Sequence, residues 1–116
     1  MNRQPTFEGL EPTPADPHLI LHCVSDFYRI SPIYLQSPSR KQPLAFQRQV
    51  LMYMLRDFSY LSYPKIGAFL NRHHTTCMHG VQFVENERAI KPFIDIELDQ
   101  LHNYINSMIS YVDTPV

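Results

Sequence analysis

Residues 63–80, YPKIGAFLNRHHTTCMHG, decide how this chain of 116 residues folds. The stretch opens with Pro64 near the start of a short helix, passes through a polar turn at Asn71-Arg72, and continues into a second helix. The first turn of that second helix is polar and its later turns are apolar. This order is typical of a helix-turn-helix, whose second helix presents its first residues to base edges in the major groove. We therefore predict a helix-turn-helix at about residues 62–90.

The motif has a fixed spacing of its most specific residues, which is Pro64-x-Ile66-Gly67 followed by Arg72-x-His74-Thr75-Thr76-x-x-His79. This spacing resembles the signature of the C-terminal DNA-binding domain of the bacterial replication initiator DnaA. The likeness extends from about His18 to Ile90. It implies a Trp-repressor-like helix-turn-helix and sequence-specific binding of double-stranded DNA at sites similar to the nine-base-pair DnaA box, in replication initiation control or transcription regulation.

The remaining sequence predicts an all-α, compact helical bundle without internal repeats. Proline after a capping residue marks helix starts at Asp16-Pro17 and Ser31-Pro32, and Pro43 and Pro92 open two longer helices. These four helices are expected to reach about Arg29, Leu35, Phe58 and Tyr111. We assign residues 1–15 to a flexible lead-in, 16–112 to the domain and 113–116 to a tail.

Apolar spacing predicts which faces of the two longer helices are buried. In the helix opened by Pro43, Arg48 and Arg56 are expected on the same side as the apolar residues. In the last helix, the residues predicted to point inward are Phe93, Ile94, Leu98, Leu101, Ile105 and Met108.

Composition predicts a soluble cytoplasmic protein of one domain. A hydrophobic content of 44% in 116 residues can build a core without disulfides or metal. Cys23 and Cys77 are too few for a disulfide framework. The first residues show no signal-peptide pattern and no apolar run approaches the length of a membrane span, so we expect neither a signal peptide nor a membrane span.

Charge is unevenly distributed along the chain, although the net charge is only −1. Formal charge sums to −2 over residues 1–36 and to −4 over residues 81–116. Residues 37–80 sum to +5, because Asp57 is the one acid among six basic residues: Arg40, Lys41, Arg48, Arg56, Lys65 and Arg72. A basic cluster at the motif favours a nucleic-acid partner, since phosphate neutralisation supplies much of such affinity.

Each polar residue type in the motif suits DNA contact. Ser62 can cap the first helix, and the second helix offers free N–H groups to phosphate over His73 to Thr76. The side chains of His74, Thr75 and Thr76 can reach base edges. His79 follows one turn later on the same side.

The resemblance implies further roles at matching positions. Arg40, in the loop before the long helix, matches an arginine that enters the minor groove of DNA. Arg48 and Arg56 match residues that face the DNA backbone and nearby bases. The expected DNA-contacting residues are Arg40, Arg48, Arg56, Ser62, Tyr63, Pro64, Lys65, Arg72, His73, His74, Thr75, Thr76 and His79. The chain departs from the family's usual aspartate at His73, glutamate-like residue at Lys65 and basic residue at Phe46. It also lacks one turn glycine, and Gln82 and Phe83 replace basic residues.

Other classes of function have weaker support. Neither His73, Cys77 and His79 nor His18, His22 and Cys23 has the spacing of a known zinc motif. With three glycines and no phosphate loop, no nucleotide, cofactor or catalysis is expected. The alternative is a protein-interaction module, in which the acidic last helix docks a second copy or another protein through Leu98, Leu101, Ile105 and Met108.

Overall fold

A computed structural model describes residues 13–113, which form six helices and no strand. In chain order the helices are α1 (Pro17–Tyr28), α2 (Pro32–Leu35), α3 (Leu44–Ser59), α4 (Tyr63–Leu70), α5 (His74–Ile90) and α6 (Pro92–Asp113). The predicted all-α fold is confirmed. Most of the lead-in assigned to residues 1–15 lies outside the described residues, as do positions 114–116, and Asp113 belongs to α6 rather than to a tail.

Two of the four predicted helix starts, those of α1 and α2, have side-chain caps. The Asp16 carboxylate accepts a hydrogen bond from the His18 N–H at 2.9 Å, and the Ser31 hydroxyl accepts one from the Ile33 N–H at 3.2 Å. In both helices proline occupies the first turn, where its missing N–H costs nothing. These local signals fix where α1 and α2 begin.

Helix α3 lies at the centre of the domain and packs against α1, α2, α4 and α5, while α6 closes the bundle against α1 and α5. The fully buried side chains come from every helix and include Ile20, Leu35, Leu51, Leu55, Ile66, Val84 and Leu101. Burial of this continuous apolar core is the main stabilising contribution to the fold. It also holds α4 and α5 against α3, so the helix-turn-helix rests on a packed support.

The predicted faces of α3 and α6 need two corrections. Phe93 is 66% exposed, because it lies about 140° around α6 from the buried Leu98. Arg56 is exposed and does not lie on the apolar side of α3. It follows Arg48 by eight residues, which places it about 80° away from Arg48 around the helix axis.

The residues suggested for docking a partner lie mostly in the domain's own core. Leu98, Leu101 and Ile105 are fully buried, and Met108 is partly buried against them. Leu98, Leu101 and Ile105 therefore cannot form an exposed docking surface in the folded domain. Within residues 13–113, no helix combines the length and the hydropathy that a membrane span requires.

Candidate nucleic-acid interface

The first helix of the motif, α4, begins at a serine cap. The Ser62 hydroxyl accepts a hydrogen bond from the Lys65 N–H at 3.3 Å, and Pro64 occupies the first turn. Ile66, Gly67 and Leu70 are buried on the inner side of α4, whereas Ser62, Pro64 and Lys65 are exposed. The start of α4 is thus a solvent-facing corner beside α5.

The turn between α4 and α5 depends on two residues with special backbone requirements. Asn71 has a φ of 55°, in the left-handed region that asparagine tolerates better than most residues. The Arg72 N–H donates to the Gly67 carbonyl at 2.8 Å. A Cβ at residue 67 would overlap the Arg72 carbonyl oxygen. The absence of a side chain at Gly67 therefore allows the turn to fold back onto α4.

His73 caps the second helix, α5. Its Nδ1 accepts a hydrogen bond from the Thr75 N–H at 3.2 Å and lies 2.7 Å from the Thr75 hydroxyl. Because a backbone N–H can only donate, Nδ1 acts as the acceptor, and in the neutral ring the proton is on Nε2. The His73 ring also stacks on that of His74, with 4.4 Å between centroids. His73 thus presents an N–H donor at the N-terminus of α5.

Helix α5 has one buried and one exposed side. Cys77, Gly80, Val81 and Val84 are buried against the core. Among the residues predicted to contact DNA, His73, His74, Thr76 and His79 are exposed and Thr75 is partly exposed. The structure therefore brings the polar residues of the motif together at the start of α5 and in its next turn.

A cleft of about 510 Å³ separates the start of α5 from the loop between α2 and α3. Arg40 lines the cleft from the loop, and Thr76 lines it from the first turn of α5. Arg48 and Arg72 also line the cleft and bring positive charge to both of its sides, and the neutral Asn71 lines it next to Arg72. Residues far apart in sequence thus form one continuous basic surface.

Arg48 lies largely beneath this surface, with only 5% of the residue exposed. Its guanidinium donates to the Leu35 carbonyl at 2.9 Å and to the Ser39 carbonyl at 2.8 Å. Burial and the nearby charge of Arg72 both lower the pKa of Arg48. Arg72 is partly exposed and donates to the carbonyls of Leu70 and Ser37. Both arginines therefore contact the loop that carries Arg40.

Arg56 adds a further positive charge, which lies against Tyr63 at the start of α4. The Arg56 guanidinium lies 4.2 Å from the centre of the Tyr63 ring, a cation–π geometry, and donates to the Leu61 carbonyl at 3.1 Å. Lys65 is exposed one turn into α4. Arg56 and Lys65 are therefore available to an approaching anion.

Four acidic side chains of the described residues pair with groups outside the cleft. Asp95 and Asp99 each accept from Arg88 at 2.7 Å, and Glu87 pairs with Lys91 at 2.7 Å. Asp57, the one acid among residues 37–80, contacts His102 at 2.9 Å. In the part of the chain that the structure describes, no ion pair neutralises Arg40, Arg48, Arg56 or Arg72. The basic surface thus retains its positive charge.

The two histidine and cysteine groups considered for a metal are not gathered by the fold. Cys77 and Cys23 are buried, whereas His73, His79, His18 and His22 are exposed. Residues 13–113 contain no group of three or more histidine, cysteine or acidic side chains placed to hold a metal ion.

Sequence reasoning missed the contacts beneath the Arg40 loop. Two of the groups involved, the carbonyls of Leu35 and Ser39, are backbone atoms that no residue pattern reveals. Ser37 contributes both a carbonyl to Arg72 and a hydroxyl to Arg48, the latter at 3.4 Å. The serines and proline of residues 36–42 indicated a loop, but nothing in the sequence indicated what holds it.

Comparison with known proteins agrees with this geometry. A family model described as the bacterial dnaA protein helix-turn-helix matches residues 17–84. The chain is 45% identical over 106 residues to the chromosomal replication initiator protein DnaA of Cutibacterium acnes, which covers 90% of this chain and 20% of that protein. Identity to the DnaA protein of Thermomicrobium roseum is 42% over 72 residues, 61% of this chain and 16% of that protein.

The DnaA protein of Rippkaea orientalis is 38% identical over 102 residues, which is 87% of this chain and 22% of that protein. The chain thus spans about a fifth of the length of these curated relatives. The family match covers α1 to most of α5, including the cleft, the turn and the polar start of α5. The chain therefore belongs to the bacterial DnaA helix-turn-helix family.

Proposed function

We propose that the chain binds double-stranded DNA in a sequence-specific manner, with the start of α5 in the major groove and Arg40 in the neighbouring minor groove. The polar side chains exposed or partly exposed at the start of α5 are of the types that read base edges, namely His73, His74, Thr75 and Thr76. The arginine at position 40 is exposed and of the type that reads a narrow minor groove.

One observation carries this proposal: Arg40 and Thr76 line the same cleft. In duplex DNA a single sugar-phosphate strand separates a minor groove from the adjacent major groove. An arginine on one side of a cleft and the start of a recognition helix on the other can straddle such a strand. The basic side chains along the cleft have no acidic partner among the described residues, and phosphate would supply the missing negative charge.

The site we propose is related to the DnaA box, and the biological process is the control of replication initiation or of transcription. Support comes from the family membership and from relatives named as chromosomal replication initiators. The departures at His73, Lys65 and Phe46 are the positions at which we expect the preferred sequence to differ from the box of those relatives.

The proposal is tested by substitution on two parts of α5. His74→Ala and Thr76→Ala remove exposed polar groups from the first turn, whereas Asn86→Ala removes one from the C-terminal half. We expect the first two variants to lose about 1–3 kcal/mol of binding free energy for the preferred duplex. Asn86→Ala should bind as the wild type does. Equal affinity of all three variants in a fluorescence anisotropy titration would show that the first turn of α5 does not read DNA.

A further inference from the structure

Two arginines hold the loop that carries Arg40, and they approach it from different elements. Arg48 projects from α3 and donates to the carbonyls of Leu35 and Ser39. Arg72 projects from the turn before α5 and donates to the Ser37 carbonyl. The three acceptors are alternate residues that lead directly to position 40.

The Arg48 contact requires an arginine rather than any cation. Two of its nitrogens, Nε and one terminal nitrogen, donate to two carbonyls that are four residues apart in the chain. A guanidinium has five N–H donors in a rigid fork, whereas the lysine ammonium is a single point charge on a flexible stem. Lysine at position 48 would keep the charge but could not reproduce both contacts in one geometry.

Because Arg48 is buried, its hydrogen bonds to the loop matter for the stability of the fold. Arg48 is 5% exposed and has no carboxylate partner among residues 13–113. A buried charge without a counter-charge is destabilising unless polar groups solvate it. The loop carbonyls supply that solvation, so the position of the loop and the burial of Arg48 depend on each other.

We propose that Arg48 and Arg72 are positioning residues, which hold the 36–41 loop so that Arg40 keeps a fixed place relative to the first turn of α5. The proposal rests on the proposed function, because this placement matters for affinity only if Arg40 and α5 contact the same duplex. It replaces the contact with the DNA backbone and nearby bases that the family resemblance implies for Arg48. Arg72 holds the same loop from the helix-turn-helix, through its hydrogen bond to the Ser37 carbonyl.

The first experiment needs no DNA. Amide order parameters and hydrogen exchange are measured by NMR for the wild type, Arg48→Lys and Arg72→Lys, with Arg56→Lys as a control that retains charge outside the loop contacts. We expect the amides of Ser37, Ser39, Arg40 and Lys41 to become more mobile and to exchange faster in the first two variants, while those of α1, α3 and α5 stay as in the wild type. Loop amides that are unchanged in both variants would overturn the proposal. Arg72→Lys keeps the test valid if Arg48→Lys fails to fold, because Arg72 is only partly buried.

The second experiment is a double-mutant cycle on DNA binding with Arg40→Ala, Arg48→Lys and the double variant. We expect Arg48→Lys to weaken binding about tenfold, to lower the salt slope by no more than Arg40→Ala does, and to add little once Arg40 is removed, since coupled residues are not additive. A phosphate contact would predict the opposite, namely retained affinity in Arg48→Lys and additive effects. That result would overturn the proposal. If the wild type bound no duplex, the proposed function would fail, while the NMR result would still decide whether the two arginines hold the loop.

Discussion

The Arg72 carbonyl lies over the Cα of Gly67, so closely that any side chain at position 67 would collide with it. The same two residues are joined by a hydrogen bond from the Arg72 N–H to the Gly67 carbonyl at 2.8 Å. The angle between the two helices of the motif is thus set by backbone contact. Gly80, the other glycine among the described residues, faces the Met52 side chain instead.

This difference predicts different effects of two alanine substitutions in helices. Gly67→Ala should lower the free energy of unfolding by about 2–3 kcal/mol, because backbone must move to admit the methyl group. Gly80→Ala should stay within about 1 kcal/mol of the wild type, since alanine favours a helix and the Met52 side chain can shift. Urea denaturation compares the three proteins. Equal changes in both variants would mean that Gly67 is not needed for the close turn.

Two exposed arginines should contribute differently to DNA affinity. Arg56→Ala should weaken binding to every duplex and reduce the slope of log affinity against log salt by about 0.9, the value for one neutralised phosphate. Arg40→Ala should weaken binding most at sites with A·T pairs facing the loop, where the minor groove is narrow. Lys91→Ala is the control, because Lys91 lies at the far end of α5 and pairs with Glu87. Titrations over a range of salt would contradict this account if Lys91→Ala changed the slope as much as Arg56→Ala did.

His73 should determine part of the sequence preference. Aspartate and asparagine both cap helices well, so His73→Asp and His73→Asn should retain the start of α5. Aspartate offers only acceptors, however, and replaces the Nε2–H donor that His73 presents. We expect His73→Asp to move the preference at the facing base pair away from guanine acceptors by about 1–3 kcal/mol, with His73→Asn between the two. Binding-site selection on the three proteins would refute this if all returned one sequence.

Cys23 predicts a measurable loss of stability at alkaline pH. Burial, and secondarily the charge of Asp26, raises the pKa of its thiol from 9.0 to about 11. Folding therefore favours the neutral thiol, and this contribution is complete below pH 9 and is lost as the pH rises towards 11.

Between pH 8 and pH 10, the wild type should lose about 1 kcal/mol more of its free energy of unfolding than Cys23→Ala does. Comparing the two proteins at each pH cancels the other alkaline groups, among them Tyr28, whose pKa burial and Glu97 also raise. Urea unfolding curves at both pH values supply the measurement. Parallel decline of the two proteins would show that the Cys23 thiolate is not excluded from the fold.

The sequence predicted those parts of the structure that depend on local chemistry. Caps at Asp16, Ser31 and Ser62 and the turn at Asn71 fixed the helix boundaries, because each satisfies backbone groups of its own helix. The prediction that Phe93 is buried was wrong, because helical spacing identifies an apolar face but not how far around the helix burial extends. The packing of neighbouring helices determines that limit.

The candidate site was predictable in residue type but not in arrangement. The polar start of α5 follows from its own sequence, and its exposure is as expected. Arg48 has the same side chain as Arg40 and Arg56, yet it is buried beneath the loop. Helical spacing places Arg48 on the apolar side of α3, but nothing in the sequence indicates that α2 and the loop cover it and that their carbonyls accept its hydrogen bonds.

The most direct test of the central claim is a titration of the chain against two duplexes, one with a DnaA box and one with the same bases scrambled. Each is measured at about 50 and about 200 mM salt. If Arg40, Arg56 and Lys65 each displace about one counterion, the slope is about −2.7, and affinity should fall roughly fortyfold between the two conditions. We predict tighter binding to the box duplex at both salt concentrations. Affinity that is the same for the two duplexes and indifferent to salt would contradict the account.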